Sequence, residues 1–122
     1  MTPEQKATEF LATQTHMVVA VTREDGLSWA VPVTIQRREG REFEWDSGFD
    51  TVHSQAIDRD PRVAICLYRT SSDDREELVV YGDATVEIVD RHDKYARYRA
   101  TLQTAWINGK DHVKRALDVS QL

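Results

Sequence analysis

MVVAVTREDGLSWAVPVTIQ, residues 17–36, reads as two strands joined by a tight turn. Residues 17–24 are rich in Val, the residue type that fits a pleated, half-buried surface. Asp25-Gly26 supplies the turn. Over residues 28–36, Trp29, Val31, Val33 and Ile35 alternate with Ala30, Pro32 and Thr34, the period of a strand with two different faces. Pro32 has no N–H to give a ladder, so it marks an edge or a bulge.

Working outward, residues 2–13 read as a helix. Thr2 caps it, Pro3 suits its first position, Gln5 completes a capping box, and Ala7, Phe10 and Leu11 form one apolar stripe. On the other side, residues 37–41 (RREGR) read as a charged turn and residues 42–46 (EFEWD) as a third strand ended by Gly48. Residues 51–59 read as a short helix capped by Asp50, with Val52, Ala56 and Ile57 facing inward. Asp60-Pro61 ends it, since a residue before proline avoids helical geometry. Residues 62–69 are apolar on both faces and predict a central strand. Cys66 reads there as a small buried hydrophobe. A polar loop over 71–76 leads to an alternating strand, 77–88, in which Gly82 suits a bulge or bend. From Asp90 the spacing of Tyr98, Leu102 and Trp106, with Tyr95 alongside, predicts a helix, and residues 111–119 a last short one capped by Asp111.

The 122 residues suit one domain, 1–122, with 40% apolar and 30% charged residues. The net charge of -5 argues against nonspecific nucleic-acid binding. No apolar run reaches membrane-spanning length, and the first residues lack the basic and apolar pattern of a secretory signal, so a cytoplasmic protein is expected. The four His residues are scattered and the one Cys has no partner, so no metal site is expected. Five or six short strands cannot hide both faces under so few helices. Barrel closure, a second subunit, or an α+β sandwich each answers that problem.

Four pieces in this order resemble the pyridoxamine-phosphate-oxidase-like split barrels. They are Phe10-Leu11 followed by Val18-Val19-Ala20-Val21-Thr22; Asp25-Gly26 followed by Ala30-Val31-Pro32-Val33; Asp60-Pro61-Arg62-Val63; and Val79-Val80-Tyr81-Gly82-Asp83-Ala84. The resemblance implies a fold that is mostly β with some α, a split β-barrel with short helices at both ends and between the third and fourth strands. It implies a homodimer with flavin mononucleotide (FMN) or a deazaflavin coenzyme at the interface. Oxidoreductase chemistry would be carried by the ring; haem, or no cofactor, is the alternative, with His53 or His92 as the axial ligand. The cofactor-binding residues it points to are Val31, Pro32, Val33, Trp45, Ser47, His53 and Arg62. No residue stands out as a catalytic acid or base.

The family's basic phosphate-binding positions fall on Val31, Gln36, Val52 and His53, and only His53 can carry positive charge. Asp46 and Asp50 flank the site, while Arg37, Arg38 and Arg41 lie near in sequence. Trp29 is a candidate ring wall, Tyr81 and Asp83 candidates for a cleft, and Trp106 for a subunit contact. The competing expectation is a non-enzymatic ligand-binding or stress-related split barrel that has lost tight flavin binding.

Overall fold

The computed structural model describes residues 1–70 and 76–122; most of the polar loop expected over 71–76 lies outside them. Its elements are α1 (Pro3–Leu11), β1 (His16–Thr22), β2 (Ser28–Thr34), β3 (Arg37–Glu39), β4 (Glu42–Gly48), α2 (Val52–Arg59), β5 (Arg62–Arg69), β6 (Leu78–Arg91), β7 (Tyr95–Gly109) and β8 (Arg115–Leu117), followed by a 3-10 turn at Val119–Gln121. The strands form one antiparallel sheet in the order β2-β1-β5-β6-β7-β4-β3, with β8 added to β7.

The connection from β2 to β3 forces the sheet to curl. These strands stand at opposite ends of the strand order, yet only Ile35 and Gln36 separate them. Two residues span about 7 Å, so the two ends of the sheet must meet. They do so where Gln36 N–H donates to Glu44 O at 2.8 Å and Ile35 N–H to Thr15 O at 2.9 Å. Beyond that closure β2 pairs only with β1, which leaves a split between β2 and the far end of β4. This is the split barrel. Its interior is filled by Trp45, Tyr98, Phe43, Met17 and Leu102, all nearly inaccessible to solvent. Phe10 and Leu11 of α1 and Ala56 and Ile57 of α2 join the same core. The capping box on Thr2 and Gln5 is present. No helix among the described residues is long and apolar enough to cross a membrane.

Several sequence expectations need correction. Residues 95–109 are not helical; they form β7, the longest strand. A spacing of four residues fits one face of a strand as well as one face of a helix, and here a bulge hides the alternation. Asp83 pairs with Thr104 and Ala84 with Leu102, so Gln103 is an extra residue. The inward residues therefore run Ala96, Tyr98, Ala100, Leu102 and then Ala105, Ile107, which shifts Trp106 to the outer face. The expected helix over 111–119 is also absent, so the C-terminal end carries only the 3-10 turn. Asp111 caps a tight turn by accepting Val113 N–H at 3.0 Å, and His112 takes φ 59°, which no helix tolerates. Part of the charged turn is the strand β3, and β4 continues through Gly48. The cap of α2 is Thr51, whose hydroxyl accepts Ser54 N–H at 3.1 Å, and not Asp50.

Candidate functional site

The split opens beside the N-terminal end of α2, and β4 delivers Ser47 there. In β4, Phe43 and Trp45 point into the barrel; Ser47 follows two residues on, where the interior opens. Its hydroxyl lies 2.8 Å from His53 Nε2, and Thr51 Oγ1 lies 3.5 Å from the same nitrogen. Thr51 Oγ1 is also 2.7 Å from Ser54 Oγ. Ser47, Thr51, His53 and Ser54 thus form one small polar cluster at the strand-to-helix junction. His53 is 9% exposed. α2 packs on β1 and β2, which places the inner face of β2 beside this cluster.

The expected site residues divide. Ser47 and His53 are brought together. Val31 and Val33 lie on the inner face of β2, opposite Val19 and Met17 in the ladder. Pro32 lies on the other face, opposite Val18. Trp45 is fully enclosed, its ring stacked 5.7 Å from Tyr98, and its indole N–H has no partner among the described residues. Arg62 stands beyond the opposite end of α2, with about 9 Å of helix between His53 and Arg59. Asp60 grips its guanidinium at 3.0 and 2.9 Å, and those hydrogen bonds hold the Asp60 pKa to about 2. Trp29 is partly exposed under the Arg23 guanidinium. Tyr81 and Asp83 face outward, away from the split; Tyr81 packs by Trp106, and Asp83 accepts from Thr104 at 3.0 Å.

The arginines paired along β4 and β7 are already committed. Glu44 is 5% exposed and is met by Arg99 at 3.0 Å, Arg37 at 3.2 Å and Arg97 at 3.6 Å. Burial alone would raise its pKa; the hydrogen bonds and charges of Arg99 and Arg37 outweigh that and hold it low. Arg97 also clamps Asp46 at 2.6 and 3.0 Å and keeps its carboxyl below the usual range. Arg37 pairs in addition with Glu39, Arg38 donates to Gly40 O at 2.8 Å, and Arg41 is exposed beside Glu42 at the end of β4 away from the split. Of the four positions where the family places basic residues, Val31 and Val52 are apolar. Gln36 spends its backbone N–H on closure of the barrel. His53 is buried, which pushes its pKa below the ordinary 6.5. A phosphate monoester, close to a dianion, finds no exposed cation at these four positions. These residues do not fit the phosphate of FMN.

The buried imidazole has a consequence for stability. The unfolded chain takes up a proton near pH 6.5 while folded His53 resists it. Its contribution is therefore complete above pH 6.5 and declines as the pH falls from there toward the lower folded-state pKa. The urea midpoint should drop between pH 7.5 and pH 5, with a smaller drop in His53→Gln. An equal drop in the variant would assign the loss to another group.

One assembly was not legible in the sequence. Paired residues form a row across the outer face of six strands: Pro32, Val18, Cys66, Tyr81, Trp106 and Ala116. The adjoining row begins Ala30, Ala20, Ala64. Together they floor a shallow depression of about 490 Å³ lined by Val18, Ala20, Ala64, Cys66, Tyr81 and Trp106. Cys66, expected to be enclosed, is only half-buried here, and burial pushes its thiol pKa up.

Known proteins share this architecture. A haem binding protein from Mycobacterium smegmatis superposes with a TM-score of 0.85 at 13% identity, covering 99% of this chain. The chain spans 60% of the length of that protein. A haem storage protein from Vibrio cholerae matches with a TM-score of 0.70 at 12% identity over 93% of this chain and 96% of its own. An FAD-binding protein from Mesorhizobium loti gives 0.70 at 11% identity over 84% and 90%. At such identities the likeness is one of fold. No curated protein matches the sequence. The family described as Pyridoxamine 5'-phosphate oxidase matches residues 3–120, nearly the whole chain. With its split barrel, the chain belongs to the pyridoxamine 5'-phosphate oxidase family.

Proposed function

We propose that this chain is a homodimeric ligand-binding protein that takes a planar ring system of the flavin or deazaflavin class in the split beside α2. The observation that carries the reading is the cluster of Ser47, Thr51 and His53 at the junction of β4 and α2, in a chain of this family. Apolar walls with a few convergent polar groups are what small-molecule sites are made of. Half-buried Val31 offers apolar surface along β2, and Ser47 a hydroxyl at the end of β4. A ring of this class carries hydride or electron transfer itself, and the protein supplies position. The fold neighbours that bind FAD or haem support a ring-shaped ligand of some kind. The second reading, a binding protein without catalysis, is favoured by His53, whose imidazole is engaged with Ser47 and buried rather than presented as an acid or base.

The homodimer rests on the outer face. Its Pro32-Val18-Cys66-Tyr81-Trp106 row is uncharged and partly solvent-exposed, as self-association surfaces are. The alanines beside the Tyr81 and Trp106 rings set a hollow next to a ridge on one face, which suits a two-fold contact.

Two measurements test the reading. The purified protein should be dimeric by sedimentation, and Trp106→Glu should be a folded monomer; a wild-type monomer removes the dimer. After incubation with flavins and removal of the excess, a retained flavin absorbance band is expected. A colourless protein overturns the flavin-class reading.

A further inference from the structure

We infer that two copies of this chain lock their outer faces together by a symmetric pair of ion pairs, Arg62 of each subunit to Asp83 of the other. The inference rests on the homodimer reading and adds the register in which the two faces meet.

The apolar row on the outer face has a centre. It crosses six strands, with Pro32, Val18 and Cys66 on β2, β1 and β5, and Tyr81, Trp106 and Ala116 on β6, β7 and β8. Its midpoint falls between β5 and β6. Small side chains fill one half and the two large rings the other. A two-fold axis lying in the interface along that midline sets β6 against the partner's β5 and β7 against the partner's β1. The Tyr81 and Trp106 rings of each copy then enter the hollow floored by alanines on the other. Sheets packed face to face keep their strands within about 30° of each other, which an axis along the strands allows.

The same axis decides which charges meet. Asp83 follows Tyr81 on the outer face of β6 and stands opposite Ala64 of β5. Arg62 is the next outward residue along β5. Both line one groove of about 510 Å³ with Ala20 and Ala64. Rotation about the axis brings Arg62 of each copy one outward position from Asp83 of the partner subunit. That is a step of about 7 Å along the strand, within reach of an arginine side chain.

Their bonding capacities match. The Arg62 side chain is 81% exposed and grips Asp60 through Nε and Nη2, which leaves Nη1 without a partner among the described residues. Asp83 accepts from Thr104 through Oδ2, which leaves Oδ1 in the same condition. One guanidinium can therefore bridge its own Asp60 and the Asp83 that the dimer brings to it. A carboxylate covered by an apolar face without a cation is costly, so a dimer built on this face needs a cation at Asp83. Lys114, which also reaches the face, stands over the Tyr81 ring beyond the other side of the row.

The test is sedimentation of two charge-reversed chains, alone and mixed. Asp83→Arg carries arginine at both positions, and Arg62→Asp carries aspartate at both. Each alone sets like charges across the interface and is expected to be monomeric where the wild type is dimeric. Mixed in equal amounts they are expected to form a heterodimer, since every facing pair is then opposite in sign. An ion pair inside one chain gives no such rescue. If circular dichroism finds either variant unfolded, Asp83→Asn and Arg62→Gln decide instead, each expected to weaken the dimer about tenfold. Dimers of wild-type affinity in these variants, or charge-reversed monomers that stay apart when mixed, overturn the inference and leave the homodimer standing. A wild-type monomer overturns both.

Discussion

Gly82→Ala is expected to leave the chain unable to hold its barrel at ordinary temperature. A Cβ at that position would meet Thr104 O at 2.0 Å, Ala105 Cα at 2.9 Å and Thr104 C at 3.0 Å. All three are backbone atoms of β7, so no side chain can swing aside. Gly82 also adjoins the bulge at Gln103, where β6 and β7 change register. The longest ladder in the sheet must open there or lose its bulge, and overpacking against fixed backbone costs upward of about 3 kcal/mol. Total stability for such a domain is about 5–15 kcal/mol. Urea denaturation, or simply the soluble yield, reads the effect. Gly26→Ala is the contrast. Nothing lies within 4 Å of its Cβ position, and only its φ of 85° opposes a side chain, which costs about 1 kcal/mol. Similar midpoints for the two variants would mean that the strands yield where the structure places them in contact.

Trp45→Ala is the second large effect, a loss of about 3–5 kcal/mol. The ring is wholly enclosed between the curled ends of the sheet and stacks on Tyr98. Removing it empties the middle of the barrel. Trp45→Phe should behave differently. The indole N–H is buried without a partner among the described residues, and an unmet donor costs about 1–3 kcal/mol. Phenylalanine discards that donor while keeping most of the stacking area, so its loss should stay below about 1.5 kcal/mol. Near-ultraviolet circular dichroism together with urea midpoints separates the two variants. A phenylalanine variant as unstable as the alanine one would show that the N–H has a partner in solution.

The parts of the fold that were readable in the sequence rest on local chemistry. Thr2, Pro3 and Gln5 cap α1 through contacts three residues apart, and Asp60-Pro61 ends α2 by local sterics. β5 ran over its expected residues, 62–69. β7 escaped because the inserted Gln103 changes which face each later residue occupies. A residue that exists to mismatch its partner strand leaves no trace in one strand's own pattern. The C-terminal helix failed for a related reason, since Asp111 caps turns and helices alike.

The candidate site was half legible. Ser47 and His53, six residues apart, are each candidates from the sequence, and the structure adds their contact. The shortage of cations was also readable, because it depends on composition at a few positions. That Asp46 and Glu44 consume Arg97 and Arg99 was not readable, since those partners come from a strand more than fifty residues away. The outer row was invisible for the same reason: it is made by pairing six separate strands.

Pro32 gives the open split one more property. A barrel with a permanent gap carries a naked strand margin, and β2 is that margin. The β1–β2 ladder passes Val18 and Pro32 without a register shift, so the missing N–H is not one that β1 needs. It is missing on the side facing the gap. A strand from another molecule that tried to extend the sheet there would find one donor absent in mid-strand, where cross-strand growth needs an unbroken series. The margin thus resists the fibrous, edge-to-edge stacking that an unprotected edge invites.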